Sequence, residues 1–115
     1  MVEFTHLHCH SHFSLLDGLS KITDLVKAAK KHQMTSLVIT DHGSMYGAIE
    51  FYNACRAEDI NPIIGLEAYI APRGMIMKEG KVDADYHHLT LLAKNYKGYQ
   101  NLMQLATIGH TQGFY

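Results

Sequence analysis

The chain has little of what marks the more specialised protein classes. Only two of its 115 residues are cysteine, Cys9 and Cys55. They form no C-x-x-C pair, which argues against a disulfide scaffold and fits a reducing cytoplasm. No apolar run approaches the ~18 residues of a membrane span, and no basic stretch leads into an apolar one, so neither a span nor a signal peptide is expected. Neither sign of charge is in excess: ten Lys and Arg face eleven Asp and Glu, for a net charge of -1. Composition therefore supplies no basic nucleic-acid patch, and DNA contact would have to come from a local site or from sequence outside this chain. There is no internal repeat, low-complexity tract or linker. With 47% hydrophobic residues, the expectation is one modest, soluble, intracellular domain with a real core.

What the chain does have is histidine, nine in all. Four of them alternate in Thr5-His6-Leu7-His8-Cys9-His10-Ser11-His12. An extended backbone sends every second side chain to one face, so this run aims a row of imidazoles in one direction. Neutral imidazole is the commonest metal-binding side chain. A lone histidine more often sits hydrogen-bonded in a core, and a surface tract is also possible for the run. The strict alternation favours metal binding.

Strand-like and helix-like segments alternate along the chain. Phe4 to Cys9 reads as a first strand and Ser11 to Gly18 as a loop. Ser20 is placed to cap a helix over about Lys21 to His32, with Ile22, Leu25, Val26 and Ala29 as its apolar stripe. Ser36 to Thr40 reads as a buried second strand, broken by Asp41-His42-Gly43. A second helix is expected over about Met45 to Glu58, burying Ile49 and Tyr52. Pro62 opens a third strand through Ile70. Ala71 to Asp85 reads as an exposed loop or hairpin, and His88 to Ala93 as a fourth strand. Asn95 caps a last helix over about Tyr96 to Ile108, with Tyr99, Leu102, Met103 and Ala106 inward. This order predicts an α/β fold with a parallel sheet. In such folds functional groups gather at the carboxyl ends of the strands. That rule selects His8 and His10, Asp41 and His42, and Glu67, all of them metal-ligand types from three separate segments.

These residues carry a resemblance. His8-Cys9-His10-Ser11 followed by Asp17-Gly18, then Ile39-Thr40-Asp41-His42-Gly43, then Gly65-Leu66-Glu67-Ala68, resemble the first motifs of the polymerase-and-histidinol-phosphatase (PHP) superfamily. Its members are metal-dependent phosphoesterases on a distorted (β/α)7 barrel. Further segments are similar to the polymerase group of that superfamily, the alpha subunits of bacterial replicative DNA polymerase III. They are Ser14-Leu15-Leu16-Asp17-Gly18, Gly47 to Tyr52, Pro62 to Gly65, His88 to Asn95, Gly98 to Leu102 and Gly113-Phe114-Tyr115. The resemblance implies His8 and His10 as an H-x-H metal pair, Asp17 as the carboxylate of a D-G loop, His42 as the histidine of a T-D-H motif, and Glu67 as a bridging-type acidic ligand. His88 matches a later histidine of the polymerase group, with His87 beside it. Asp17 and Glu67 are the carboxylates given a catalytic role as metal ligands. His6, where many members have Asp, is expected behind the ligands or in packing. Asp41 is a candidate for fixing an imidazole tautomer, or else a turn-forming residue that bonds backbone amides.

The resemblance implies zinc or manganese at this site, and magnesium only in a polymerase core that this sequence does not contain. It covers the first half of the barrel, residues 1–115 being the N-terminal part of a PHP domain. The later ligands, including a D-x-H motif, are expected beyond Tyr115, and the open half-barrel is expected to fold only marginally alone. Two functional classes follow. One is a phosphoesterase, as a proofreading 3′-5′ exonuclease or a pyrophosphatase. The other is a metal-stabilised structural module that braces the polymerase. Implied partners are DNA, the sliding clamp and a proofreading subunit. Other groups read as ordinary structure: Lys27, Lys30 and Lys31 as a solvated helix face, and Tyr46, Tyr52, Tyr96 and Tyr99 as packing residues.

Overall fold

A helix over Ile22–Lys31 (α1) follows from the sequence: Ile22, Val26 and Ala29 recur at helical spacing and are buried, Asp24 sits in the first turn, and Lys30 and Lys31 in the last. These features belong to a computed structural model that describes residues 4–113. Ser20 does not cap α1. Lys21 holds that position without a side-chain bond, and the Ser20 carbonyl instead accepts the His12 N–H at 2.9 Å, tying the preceding loop to the helix entry.

After α1 come a strand at Ser36–Ile39 (β1), a helix at Ala48–Ala57 (α2) and a strand at Asn61–Ile70 (β2). A short helix at Gly80–Ala84 (α3) and a strand at His87–Leu92 (β3) follow, then a helix at Tyr96–Ile108 (α4) that runs into a π-helical turn at Gly109–Gly113. Asn95 caps α4 as expected, its side-chain oxygen accepting the Gly98 N–H at 3.0 Å. Phe114 and Tyr115, part of the last quoted segment, lie outside the described residues. Among the described residues no helix is long and apolar enough to cross a membrane.

The core is Ile22, Val26, Ala29, Leu37, Ile39, Phe51, Cys55 and Ile60, where α1 and α2 meet the β1–β2 pair. In α2 the buried stripe is Ala48, Phe51 and Cys55. Ile49 and Tyr52, expected inward, are 63% and 49% exposed. Phe51 is the larger hydrophobe that fills the core, and its burial sets the rotation that turns those two residues out. In α4 Leu102 is buried, whereas Met103 faces outward.

The sheet has the order β1-β2-β3, and it is mixed rather than parallel. β1 and β2 run parallel, with Ser36 opposite Asn61 and Ile39 opposite Ile64. β3 returns antiparallel, with Gly65 opposite Leu92 and Ile70 opposite His87. A parallel return needs a crossover, usually a packed helix. Residues 71–86 hold only the short α3, closed on itself by Arg73, whose Nε and Nη2 donate to the two Asp83 carboxylate oxygens at 2.8 and 2.7 Å.

The first expected strand, Phe4 to Cys9, is absent. Phe4 and Leu7 are exposed. Only Cys9 joins β1's end: its carbonyl accepts the Thr40 N–H at 2.8 Å, while its own N–H goes to the Thr40 hydroxyl at 2.9 Å. A side chain takes the bond that a ladder would have used, and pairing stops there.

In the full chain, Phe51→Ala is expected to cost about 3–5 kcal/mol of stability, and Ile49→Ala on the same helix less than about 1 kcal/mol. Urea unfolding of both variants checks the rotation of α2; equal losses would place Ile49 in the core.

Candidate metal centre

Glu67 sits where β2 is flanked on both sides, and it is only 4% exposed. Beyond Ile39 the chain stays alongside β2: the Glu67 N–H donates to the Asp41 carbonyl at 3.1 Å and the Gly43 N–H to the Glu67 carbonyl at 2.9 Å. This isolated parallel bridge sets His42 beside Glu67. On the other side Glu67 faces Thr90, and two positions along Tyr69 faces His88. Side chains two apart share a strand face, so Glu67, Tyr69 and His88 point the same way.

Three imidazoles close on the Glu67 carboxylate. His8 Nε2 and His10 Nε2 lie 2.5 and 2.6 Å from Oε2, and His88 Nδ1 lies 2.5 Å from Oε1. His42 Nδ1 is 3.8 Å from Oε2. A second carboxylate, Asp17, reaches His42 Nε2 at 2.7 Å and His10 Nδ1 at 3.6 Å. His8, His10, Asp17, His42, Glu67 and His88 are thus brought together, although His8 and His10 come from irregular backbone and not from a strand. His88 opens β3. Because β3 is antiparallel, that opening lies on the same rim as the carboxyl ends of β1 and β2.

The other two expected site residues stand apart from the cluster. His6 is exposed, its ring edge-on to Phe4 with centroids 4.8 Å apart. Asp41 is 2% exposed, and its carboxylate touches no imidazole. It accepts from the Ser11 N–H at 2.6 Å, the Ser11 hydroxyl at 2.8 Å and the Ser14 hydroxyl at 2.7 Å, and Ser14 Oγ in turn accepts the His42 N–H at 3.1 Å. Of the two readings of Asp41, the carboxylate has the backbone-amide bond and no imidazole partner: three donors from Ser11 and Ser14 occupy it, and it anchors the loop that carries His10 and Asp17. Gly18 completes that loop, since a Cβ there would lie 1.9 Å from the Ser11 carbonyl oxygen. Ser11 and Ser14 were not singled out from the sequence, because a serine in a polar loop gives no signal of burial. Tyr69 and Tyr86, which pack beside His42 and His88, were also missed.

Burial alone would raise the Glu67 carboxyl. Hydrogen bonds with His8, His88 and His10, aided by the charge of His42, outweigh it and hold the group at about 2. Burial, and secondarily Asp41, raises the Cys9 thiol, so Cys9 stays protonated.

The residues present fit a divalent metal. His8, His10 and Glu67 form one group, His10, Asp17 and His42 a second, and His42, Glu67 and His88 a third, each with ligand atoms within 4.8 Å of one another. His42 Nδ1 is buried without a hydrogen-bond partner, and a buried nitrogen lone pair is costly unless something accepts it. Ring nitrogens of His8 and His10 face each other at 3.2 Å. Imidazole and carboxylate together suit zinc, manganese or iron.

A family model described as the PHP domain matches residues 6–115. The chain is 47% identical over 117 residues to a DNA polymerase III subunit alpha of Borreliella burgdorferi, covering 98% of this chain and 10% of that relative. It is 48% identical to that of Thermus aquaticus, over 99% of the chain and 10% of the relative, and 50% identical to that of Helicobacter pylori, over 97% and 9%. The chain therefore spans about a tenth of the length of these relatives. A solved structure from Bifidobacterium adolescentis, described as a metal-dependent phosphoesterase, superposes with a TM-score of 0.63 at 20% identity, over 90% of this chain and 33% of that one. An amidohydrolase from Chromobacterium violaceum, with bound sulfate and no metal, gives 0.64 at 23% identity, over 92% and 33%. Both likenesses show the fold.

Since the folded carboxyl of Glu67 is held at about 2, below its ordinary value of 4.5, its ionised form is the one that folding favours. That contribution is complete above pH 4.5 and is lost as pH falls toward about 2. In chelator-treated full chain, the gap in melting temperature between wild type and Glu67→Gln should narrow over that window; a constant gap would show that the ionised carboxylate is not what the imidazoles stabilise.

Proposed function

The chain belongs to the PHP-domain family, and from that membership we propose that its histidine–carboxylate cluster binds divalent metal ions and hydrolyses phosphoesters, as part of a bacterial replicative DNA polymerase III alpha subunit. The observation that carries this reading is the meeting of four imidazoles and two carboxylates, Glu67 among them, from four distant segments of the chain. The set of nitrogen and oxygen donors favours zinc or manganese. A 3′-5′ exonuclease that trims DNA ends, or a pyrophosphatase, is the activity proposed. DNA, the sliding clamp and a proofreading subunit are the partners that follow from the polymerase relatives, and the cytoplasm is the compartment.

The electrostatics support a cation. With neutral imidazoles, Asp17 and Glu67 make the site negative, and a phosphate would be repelled. A bound divalent ion would cancel that charge, and would supply Lewis acidity to a phosphoryl oxygen and activate water. The chain's own residues hold and orient. Glu67 lies between two of the groups and can serve both. Asp17 keeps His42 Nε2 and His10 Nδ1 on one side. Asp41, Ser11 and Ser14 fix the loop so that His10 and Asp17 need no reorganisation when ligands bind.

The test uses the full-length protein. Metal content is measured alongside manganese- or zinc-dependent hydrolysis of single-stranded DNA ends and of pyrophosphate. His10→Ala is expected to abolish both metal retention and hydrolysis. Asp41→Asn, behind the cluster, should lower metal affinity by about 10- to 100-fold. Hydrolysis that survives His10→Ala would overturn the reading. Metal that raises the melting temperature without any hydrolysis would favour a stabilising role, in which the ion staples the distant segments together.

A further inference from the structure

Two tyrosines on the rim of the cluster have no role in the core. Tyr69 follows Glu67 by two residues on the same strand face and stands opposite His88 across the β2–β3 ladder. Its ring lies parallel to that of His42, within 1° at a centroid distance of 6.1 Å, and edge-on to His88 at 5.1 Å. Tyr86 stacks on His88 at 5.5 Å with a 12° interplanar angle, and meets Tyr69 edge-on at 4.8 Å. The two rings therefore adjoin imidazoles that face Glu67, yet Tyr69 is 48% and Tyr86 55% exposed. Large aromatic surface left open beside a polar site is a recurring mark of ligand recognition.

The backbone makes room for this arrangement. Gly43, just after His42, has φ +59°, and a Cβ there would lie 2.8 Å from Tyr69 Cε2. A glycine thus serves both the turn and the seat of the ring. Phosphate at the cluster would leave the group esterified to it a short reach from the two rings. A planar base can stack there without any hydrogen-bond readout, because every base has a π-face.

We propose that Tyr69 and Tyr86 form a stacking rim for the base of a nucleotide whose phosphate sits at the Glu67 cluster, an inference that rests on the phosphoesterase reading and names its substrate class. A free nucleotide and the end of a DNA strand share this chemistry.

Binding of dAMP and of deoxyribose 5-phosphate to the manganese-loaded full-length protein, by calorimetry, isolates the base. The expected result is an advantage of about tenfold or more for dAMP, together with upfield ring-current shifts of the adenine protons in NMR spectra. Tyr69→Ala or Tyr86→Ala should bring dAMP down to the affinity of deoxyribose 5-phosphate, while Tyr69→Phe and Tyr86→Phe keep the advantage. Equal affinities in the wild type, or an advantage that survives both alanine variants, would overturn the rim and leave the phosphoesterase reading standing. Failure to bind manganese and both ligands would overturn the two together. Should Tyr69→Ala fail to fold, Tyr86→Ala and the wild-type ring-current shifts still decide. Tighter binding of pdApdA than of dAMP would assign the rim to a strand end, and equal binding to a free nucleotide.

Discussion

The meeting of His42, Glu67 and His88 across the sheet is the constraint on which the rest depends. At Glu67, β2 has a parallel neighbour on one side and an antiparallel one on the other. Up to Ile64 it pairs with β1, and from Gly65 it pairs with β3. The isolated bridge to His42 spans the junction. A parallel strand delivers its carboxyl end to a rim, and an antiparallel strand delivers its amino end to the same rim. One buried carboxylate therefore collects a histidine from the strand end on each side.

Such a carboxylate is held by what surrounds it. Burial works against the charge of Glu67, and three imidazoles on its two oxygens more than compensate. The same crowding leaves the His42 Nδ1 lone pair buried and unsatisfied. A chain selected for stability alone would gain by filling that space with apolar side chains. Keeping convergent, partly unsatisfied nitrogens beside carboxylates makes sense where a cation completes them, which ties the packing to the proposed chemistry.

Much of this was legible in the residues, and the parts that were not have physical reasons. The alternating His8 and His10, with His42 and Glu67, could be picked out because ligand-type side chains were concentrated at the ends of predicted elements, whereas Asp17 and His88 came from the resemblance to the PHP motifs. α1 followed from its period, without the expected Ser20 cap, and α4 from its period and the Asn95 cap. The first strand was overread: the alternation correctly predicted that His8 and His10 share a direction, but alternation needs only an extended backbone and not a partner strand. The helix α2 was turned wrongly because Ile49 and Tyr52 are apolar enough to read as core, and only the packing of α2 into the shared core selects Phe51. The direction of β3 is a tertiary fact, invisible in its own pattern. The sheet rule that selected sites at carboxyl ends would have passed over His88, which the family motif supplied.

Asp41 shows where reading a motif stops short of reading a structure. In the sequence it adjoins His42, which invites a role on the imidazole. In the fold it is nearly sealed from solvent and accepts three hydrogen bonds from Ser11 and Ser14. Adjacent residues in an extended segment point to opposite faces, so the neighbour of a ligand faces away from the metal as a matter of geometry. Asp41 spends that opposite direction on the loop between His10 and Asp17, and Ser14 returns the connection to the His42 backbone. The T-D-H sequence thus serves both faces of one strand end: His42 presents an imidazole to the rim, and Asp41 immobilises the segment that brings the partner ligands to it. Removing that carboxylate would leave buried donors unpaired and release His10 and Asp17 while every ligand remained in the chain. A residue that touches neither Glu67 nor an imidazole can therefore govern how well the cluster is assembled.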